Sequence, residues 1–366
     1  MKLRKRKSLQ VKRDSILQFI LKDKFARIAL WILVALYVGI FLADFISPYS
    51  KDYSNRRMSY APPSKIFIID ENKKLSKPYT YNYIREFDGK NFKITFKPDR
   101  SKKYYLKYFA KGEPYKLFGV VPLDRHFYDV EKGGNIYLLG TDINGRDNFS
   151  RLLYGGRISL TIGFLALFVS FPLGMLYGGI SGYFGGKTDF ILMRISEAIM
   201  SIPSFYLLII LASILPANMT SIQRFTLIIL ILALIGWAGF ARVVRGMVLS
   251  IKQQEFVQAS ESLGASRLRI IIKHVLPQTI SYVIVAMTLS VPSYILAESG
   301  LSFLGLGIQQ PDASWGNMLK EAQEFTNIIS RPWLLTPGFL IFVAVLSFNL
   351  IGDTIRDVLD PKSKVR

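Results

Sequence analysis

Glu255-Phe256-Val257-Gln258-Ala259-Ser260-Glu261-Ser262-Leu263-Gly264-Ala265-Ser266 reads as a short helix held between two long apolar segments. Phe256, Ala259, Ser260 and Leu263 fall on one helical face, small in its centre and apolar at its ends. Gly264 suits a left-handed C-cap, and Ser266 can cap a second helix that runs through Arg267 to Pro277 into the next apolar run. A helix displayed in this way fits a groove on another protein. An ordinary amphipathic connector is the alternative, and the residues alone leave the two level.

Working outward, the chain has 366 residues, 50% of them hydrophobic, yet a net charge of +21. Such a chain stays in solution or in a bilayer only if its apolar residues are segregated, and they are. Six mostly apolar runs, Ile28 to Ile46, Ile158 to Gly179, Ile199 to Leu215, Phe225 to Ala241, Val275 to Ala297 and Leu334 to Ile351, each approach the roughly 20 residues a crossing helix needs. Disorder and a purely soluble enzyme are excluded. With no cysteine, disulfides, iron-sulfur clusters and thiolate zinc sites are excluded too, and His126 and His274 have no histidine partner at ligand spacing.

The first run exceeds a signal-peptide core and no small-residue cleavage pattern follows it, so it is expected to remain as an anchor. Before it, Lys2-Leu3-Arg4-Lys5-Arg6-Lys7 is expected to set topology and touch anionic lipid rather than nucleic acid. Ser15 to Phe25 places Ile16, Phe19 and Ile20 on one side of an interfacial helix. Ten Lys and Arg lie in residues 1–27 and six in residues 242–273, whereas the short loops of the opposite side hold only Arg224, Lys320 and Arg331. Both termini are therefore expected in the cytoplasm.

Residues 51–140 carry nineteen basic and ten acidic side chains and fall outside on this reading, which long loops tolerate. Phe92-Lys93-Ile94-Thr95-Phe96 alternates, and Tyr104 to Ala110 and Tyr115 to Val120 flank Lys111-Gly112-Glu113-Pro114, an expected hairpin turn. The segment reads as a β-rich subdomain that either decorates the surface or docks a receptor.

Gly185-Gly186-Lys187-Thr188 imitates part of a phosphate cradle, but Ser181 stands where the P-loop needs its first glycine and an apolar helix precedes it. No metalloprotease motif, nucleophile elbow or paired intramembrane carboxylates are present, so no catalytic residues are assigned. Gly174, Gly178, Gly182 and Gly186 recur every four residues and mark an edge for close helix packing. Glu298 and Asp353 are expected as water-exposed or helix-end carboxylates.

The opening stretch resembles the EAA loop of ABC importer membrane subunits, through Gln258-Ala259-Ser260, Gly264 and Leu276-Pro277. Gly140-Thr141-Asp142, Gly145-Arg146-Asp147 and Ser150 to Leu160 are similar to the entry into the second span of dipeptide and oligopeptide permeases, second-subunit branch. Glu298 to Gly307 and Ser314-Trp315-Gly316-Asn317-Met318-Leu319 resemble the fifth-to-sixth loop of that family, and Ser47-Pro48-Tyr49 its first-span exit.

The resemblance implies a polytopic all-α membrane protein of the type I importer fold, six crossings with an external β-rich insertion, in the bacterial inner membrane. Its regions would be a cytoplasmic tail (1–27), a first span (28–46), an external subdomain (47–139), a five-helix permease core (140–356) with a coupling loop at 252–275, and a cytoplasmic tail (357–366). It implies as partners a second homologous permease, two cytoplasmic ATPases and an extracytoplasmic solute-binding protein. ATP and Mg would be used by the ATPases, with no cofactor or metal held here. Glu255, Phe256, Gln258, Ala259, Ser260, Glu261, Leu263, Gly264, Ala265 and Ser266 would form the helix that docks the ATPase. Spans two to five would line part of the solute path. The implied cargo is a peptide, with oligosaccharides or metal chelates such as nickel complexes as the alternative; a membrane-anchored interaction protein without transport is the rival reading from another class.

Overall fold

Among the described residues five helices are long and apolar enough to cross a membrane, and a sixth crossing arises if one bent pair is counted as a single span. The computed structural model describes residues 16–359 except 71–72, 90–92, 118 and 217. The basic cluster Lys2 to Lys7, Ser15, Phe92 and the tail residues Lys362, Lys364 and Arg366 lie outside the described residues.

In chain order the first helices are α1 (Ile16–Lys22), α2 (Lys24–Phe41) and α3 (Ala43–Ile46). Six strands follow: β1 (Phe67–Ile69), β2 (Leu75–Thr80), β3 (Tyr83–Asp88), β4 (Lys93–Pro98), β5 (Tyr104–Leu117) and β6 (Val121–Val130). The long helices are α4 (Asn148–Phe184), α5 (Gly186–Ser201), α6 (Ser204–Ser213) and α7 (Ser221–Ile251). Then come α8 (Glu255–Ser262), α9 (Arg267–Ile270), α10 (Ile280–Phe303), α11 (Trp315–Leu319), α12 (Phe325–Ser330) and α13 (Thr336–Leu359). By its contacts the chain divides into one unit of residues 16–34, 161–301 and 342–359 and another of residues 35–160 and 302–341.

In the first unit the expected crossing from Ile199 to Leu215 is not one helix. α5 and α6 meet at Ile202-Pro203 with a bend of 82°. Proline lacks the N–H that would continue the ladder and drives the residue before it out of the helical region, and Ile202 accordingly sits at φ −89°, ψ 126°. Elsewhere in this unit α4 lies against α7 along its glycine edge. A Cβ at Gly174 would come 2.8 Å from the Phe240 ring, at Gly178 2.3 Å from the Ala241 carbonyl oxygen, and at Gly182 2.8 Å from that of Arg245. Only residues without a side chain allow backbones so near. The Phe171 and Phe240 rings (4.1 Å between centroids) and those of Tyr177 and Trp237 (4.4 Å) fill the rest of the seam. Gly186 is not part of it: it opens α5 at φ +52° with open space around it.

In the second unit the strands form a four-stranded antiparallel sheet in the order β1-β2-β5-β6 and a separate β3-β4 hairpin. The expected turn at Lys111-Gly112-Glu113-Pro114 is instead an irregularity within the single strand β5, where the register to β6 shifts between Lys111 and Tyr115. The chain reverses later, at Gly119 with φ +74°. The buried ring of His126 explains why the turn residues stay in the sheet. A Cβ at Gly112 would lie 2.5 Å from that ring, so glycine is there for close approach, and the bulge accommodates Pro114, which cannot donate to a ladder. The core beneath the sheet holds Tyr128, Val130 and Ile136, with Tyr104, Leu106 and Phe149 packed against them.

Candidate functional site

Helix α8 is eight residues long and buries only Val257 among its side chains. Phe256 is 38% exposed, Leu263 just beyond the helix is 88% exposed and Leu268 58%, while Glu255, Gln258, Ala259 and Glu261 are exposed as well. Its end is a Schellman closure: the Gly264 amide donates to the Glu261 carbonyl (2.9 Å) and the Ala265 amide to the Ser260 carbonyl (3.2 Å), with Gly264 at φ +79°. Ser266 occupies the N-cap position of α9 in extended conformation, but its hydroxyl makes no capping bond, which differs from the expectation.

This exposed helix is tied back to the long helices. The Tyr183 hydroxyl, near the end of α4, donates to the Glu261 carboxylate. Lys252 Nζ, at the end of α7, donates to the Gly182 carbonyl (3.0 Å), using the carbonyls that a helix end leaves open. Arg245 on α7 grips Asp189 on α5 (Nε to Oδ1 2.9 Å), and Ser181 of α4 donates to the same carboxylate oxygen (2.5 Å). The ends of three long helices and α8 are thus joined by side chains at one place.

The same unit encloses a cavity of about 530 Å³ with walls from α4, α5, α6, α7 and α10. Its polar groups include Tyr282, Ser290, Ser293 and Tyr294, and among the described residues no acidic, basic or histidine side chain lines it. Gly236 makes room for Tyr294, whose hydroxyl would lie 1.9 Å from a Cβ there and donates instead to Ser170 Oγ at 3.0 Å. Such a wall offers hydroxyls and aromatic faces but no fixed charge. Glu298 is fully buried in α10, a correction to the exposed carboxylate expected from its place near a span end; the neighbouring Ser299 hydroxyl donates to it at 3.5 Å. Asp353 is exposed.

In the second unit the segment Gly140 to Asp147 folds on itself. The buried Asp142 accepts from the amides of the exposed Asn144 (2.8 Å) and of Arg146 (2.9 Å) and pairs with the buried Arg146 through Nε at 2.6 Å. Gly145 is at φ +70° and packs so closely on the Asn55 carbonyl that a Cβ would come within 1.9 Å; Gly140 is likewise left-handed, against Ala61. The Thr141 amide donates to the Ala61 carbonyl (2.9 Å), and the Thr141 hydroxyl accepts from the Ala61 amide at 2.8 Å. Asp147 caps α4, accepting from the Ser150 amide (2.8 Å) and hydroxyl (2.6 Å); its burial nevertheless raises its pKa to about 7. Glu321, raised to about 7 chiefly by burial, accepts from the Ile143 amide at 3.0 Å. Sequence reasoning missed Glu321 because nothing in its local pattern marks a carboxylate pulled under a loop 178 residues away. Trp315 is fully buried, its ring N–H donating to the Leu152 carbonyl (2.9 Å) and its amide accepted by Ser159 Oγ (3.0 Å). These residues build a structural lock rather than a reaction centre.

Comparison with known proteins places the chain. The family model for the inner membrane component of binding-protein-dependent transport systems matches residues 170–365, and that for the N-terminal membrane domain of oligopeptide transport permease C matches residues 14–63. A dipeptide transport system permease protein of Bacillus subtilis (strain 168) is 46% identical over 225 residues, 61% of this chain and 68% of that one. An oligopeptide transport system permease protein of Haemophilus influenzae (strain ATCC 51907 / DSM 11121 / KW20 / Rd) is 43% identical over 229 residues, 62% of this chain and 71% of that one. Among solved structures, an inward-facing MetNI methionine ABC transporter has a TM-score of 0.46 at 20% identity, covering 57% of this chain and 97% of that one. By the family models and the similar permease sequences, together with its apolar helices, this multi-pass chain belongs to the family of binding-protein-dependent transport system inner membrane components, the permeases of bacterial ABC transporters.

Proposed function

We propose that the chain forms half of the translocation pathway of an ATP-driven importer of oligopeptides or dipeptides, and that α8 is the lever by which cytoplasmic ATPase subunits move it. The observation that carries the reading is the exposure of Phe256 on α8 and of Leu263 just beyond it, while Tyr183 ties α8 to the end of α4 and Lys252 ties that end to α7. Apolar surface displayed beside membrane helices is stabilised by a partner's groove, and the ties transmit a push as rigid-body motion. The remaining assembly would be a second permease of the same kind and an extracytoplasmic binding protein, with both termini in the cytoplasm by the distribution of Lys and Arg. No nucleotide, Mg or other cofactor is assigned to this chain; the ATPases would use them.

Relatives named for dipeptides and oligopeptides support the peptide cargo over oligosaccharides or nickel complexes. The uncharged cavity supports it too, because peptides of differing charge share a backbone that serine and tyrosine hydroxyls can hydrogen-bond. The test is Gly264→Val in the assembled transporter. A β-branched residue in the left-handed region costs about 1–2 kcal/mol and distorts the end of α8 without touching neighbours. Uptake and transport-coupled ATP hydrolysis should be lost while membrane insertion is kept; unchanged uptake would refute the lever.

A further inference from the structure

We infer that the β5–β6 hairpin is a membrane-interface element, seating the rings of Phe109 and Phe127 among lipid headgroups beside the outer end of the first membrane helix. Phe109 is 57% exposed, Phe127 42% and the adjacent Tyr108 56%, an expensive display of aromatic surface for a hairpin bathed in water. Phe109 and Phe127 meet edge to face at 6.0 Å, and Tyr108 lies 6.3 Å from Phe127. Phe109 holds φ +52°, a left-handed conformation that a non-glycine residue rarely adopts, and its ring stays on the outside.

The level of this patch is set by the helix it touches. Phe45, in α3, lies 6.0 Å from the Phe109 ring and 5.9 Å from that of Phe127. It follows Phe41, the last residue of α2, by four positions, or about 6 Å of helical rise. Arg157 marks the same level, donating to the Ile40 carbonyl (2.6 Å) and to Asp44 (2.6 Å), an ion pair that belongs at the edge of the hydrocarbon rather than within it. His126 fixes the hairpin there, with Nδ1 2.7 Å from the Ser47 carbonyl oxygen. Trp and Tyr gather at this height in membrane proteins, and Phe serves on the apolar face of elements that lie in the interface. Lys111 pairs with Asp124 at 3.2 Å and Lys107 with Glu131 at 3.9 Å, while Arg125 near Phe127 is exposed. The rings themselves carry no charge, so their seating should persist when salt screens the cations.

The chain has no cysteine, so one introduced thiol is a unique label. The full chain carrying Tyr108→Cys, which keeps both phenylalanines, is spin-labelled in nanodiscs of phosphatidylethanolamine and phosphatidylglycerol. Relaxation by molecular oxygen is compared with that by a water-soluble nickel chelate, with Val38→Cys on α2 as the lipid reference. Oxygen should dominate at position 108 at low and high salt alike, and adding Phe109→Asp and Phe127→Asp should abolish that dominance. Relaxation dominated by the chelate in the otherwise native chain would overturn the inference, and so would protection from both agents, which would mean that a protein partner covers the patch.

Discussion

The hydroxyl of Tyr183 in α4 donates to the carboxylate of Glu261 in α8, seventy-eight positions along the chain. The bond joins the exposed short helix to the end of a helix of 37 residues, so a displacement of one reaches the other without passing through the intervening helices α5, α6 and α7. Glu261 is exposed, so removing its partner leaves it solvated and the loss is modest. Tyr183→Phe should cost about 1 kcal/mol of local stability, read as roughly fivefold faster amide exchange over residues 255–263, with helix content unchanged. Uptake should fall in parallel if α8 is the lever.

The glycine edge of α4 should respond by position. Gly178→Val should destabilise the α4–α7 pair by about 3 kcal/mol or prevent its assembly, because even a Cβ meets the Ala241 carbonyl. Gly246→Ala, with open space around it inside α7, should be neutral or stabilising by about 0.5–1 kcal/mol. Thermal unfolding of the two variants in detergent checks the contrast.

Asp147 and Glu321 make the second unit sensitive to pH. Both are raised to about 7, above the roughly 4 of an unfolded carboxyl, so between those values the folded chain holds protons that the unfolded chain does not. Their contribution is fully present below about pH 4 and is lost as pH rises to about 7. Amide exchange over residues 140–151, corrected for intrinsic rates, should quicken at least about tenfold from pH 5 to pH 8, the equivalent of one pKa unit. Asp147→Asn keeps an oxygen acceptor for the Ser150 amide and should flatten part of that slope.

His126 and Gly112 form a matched pair. The buried ring reaches the Ser47 carbonyl with one nitrogen and the Glu113 carbonyl, at 3.0 Å, with the other. Gly112→Val should force the ring out and free the hairpin from the segment after α3, at a cost of about 2–3 kcal/mol. His126→Ala should loosen the same contact. Limited proteolysis between residues 47 and 130 is the readout for both.

The long helices were legible because period and length suffice for an element that must satisfy its own backbone in lipid. Gly264 was legible as a left-handed cap for a similarly local reason. Failures occurred where a distant residue decides. Lys111 to Pro114 has turn composition, yet β5 continues through it because the His126 ring needs the space at Gly112. The apolar run through Ile202-Pro203 reads as one straight helix, whereas its proline, a local cause, bends it by 82°; the pair still makes one crossing if counted as a single span. Glu298 stands near a span end in sequence but is fully buried, and the buried Asp142 and Asp147 and the half-buried Glu321 take their environment from a loop closure that no local pattern records.

The central claim is that an ATPase subunit grips α8, and the exposed Leu263 tests it most directly. In the assembled transporter carrying Leu263→Cys as the chain's only thiol, a short bismaleimide should link this chain to a single cysteine in the ATPase groove, with a yield that changes on adding ATP. Failure to cross-link, together with maleimide labelling at position 263 that is the same with and without the ATPase subunits, would contradict the account.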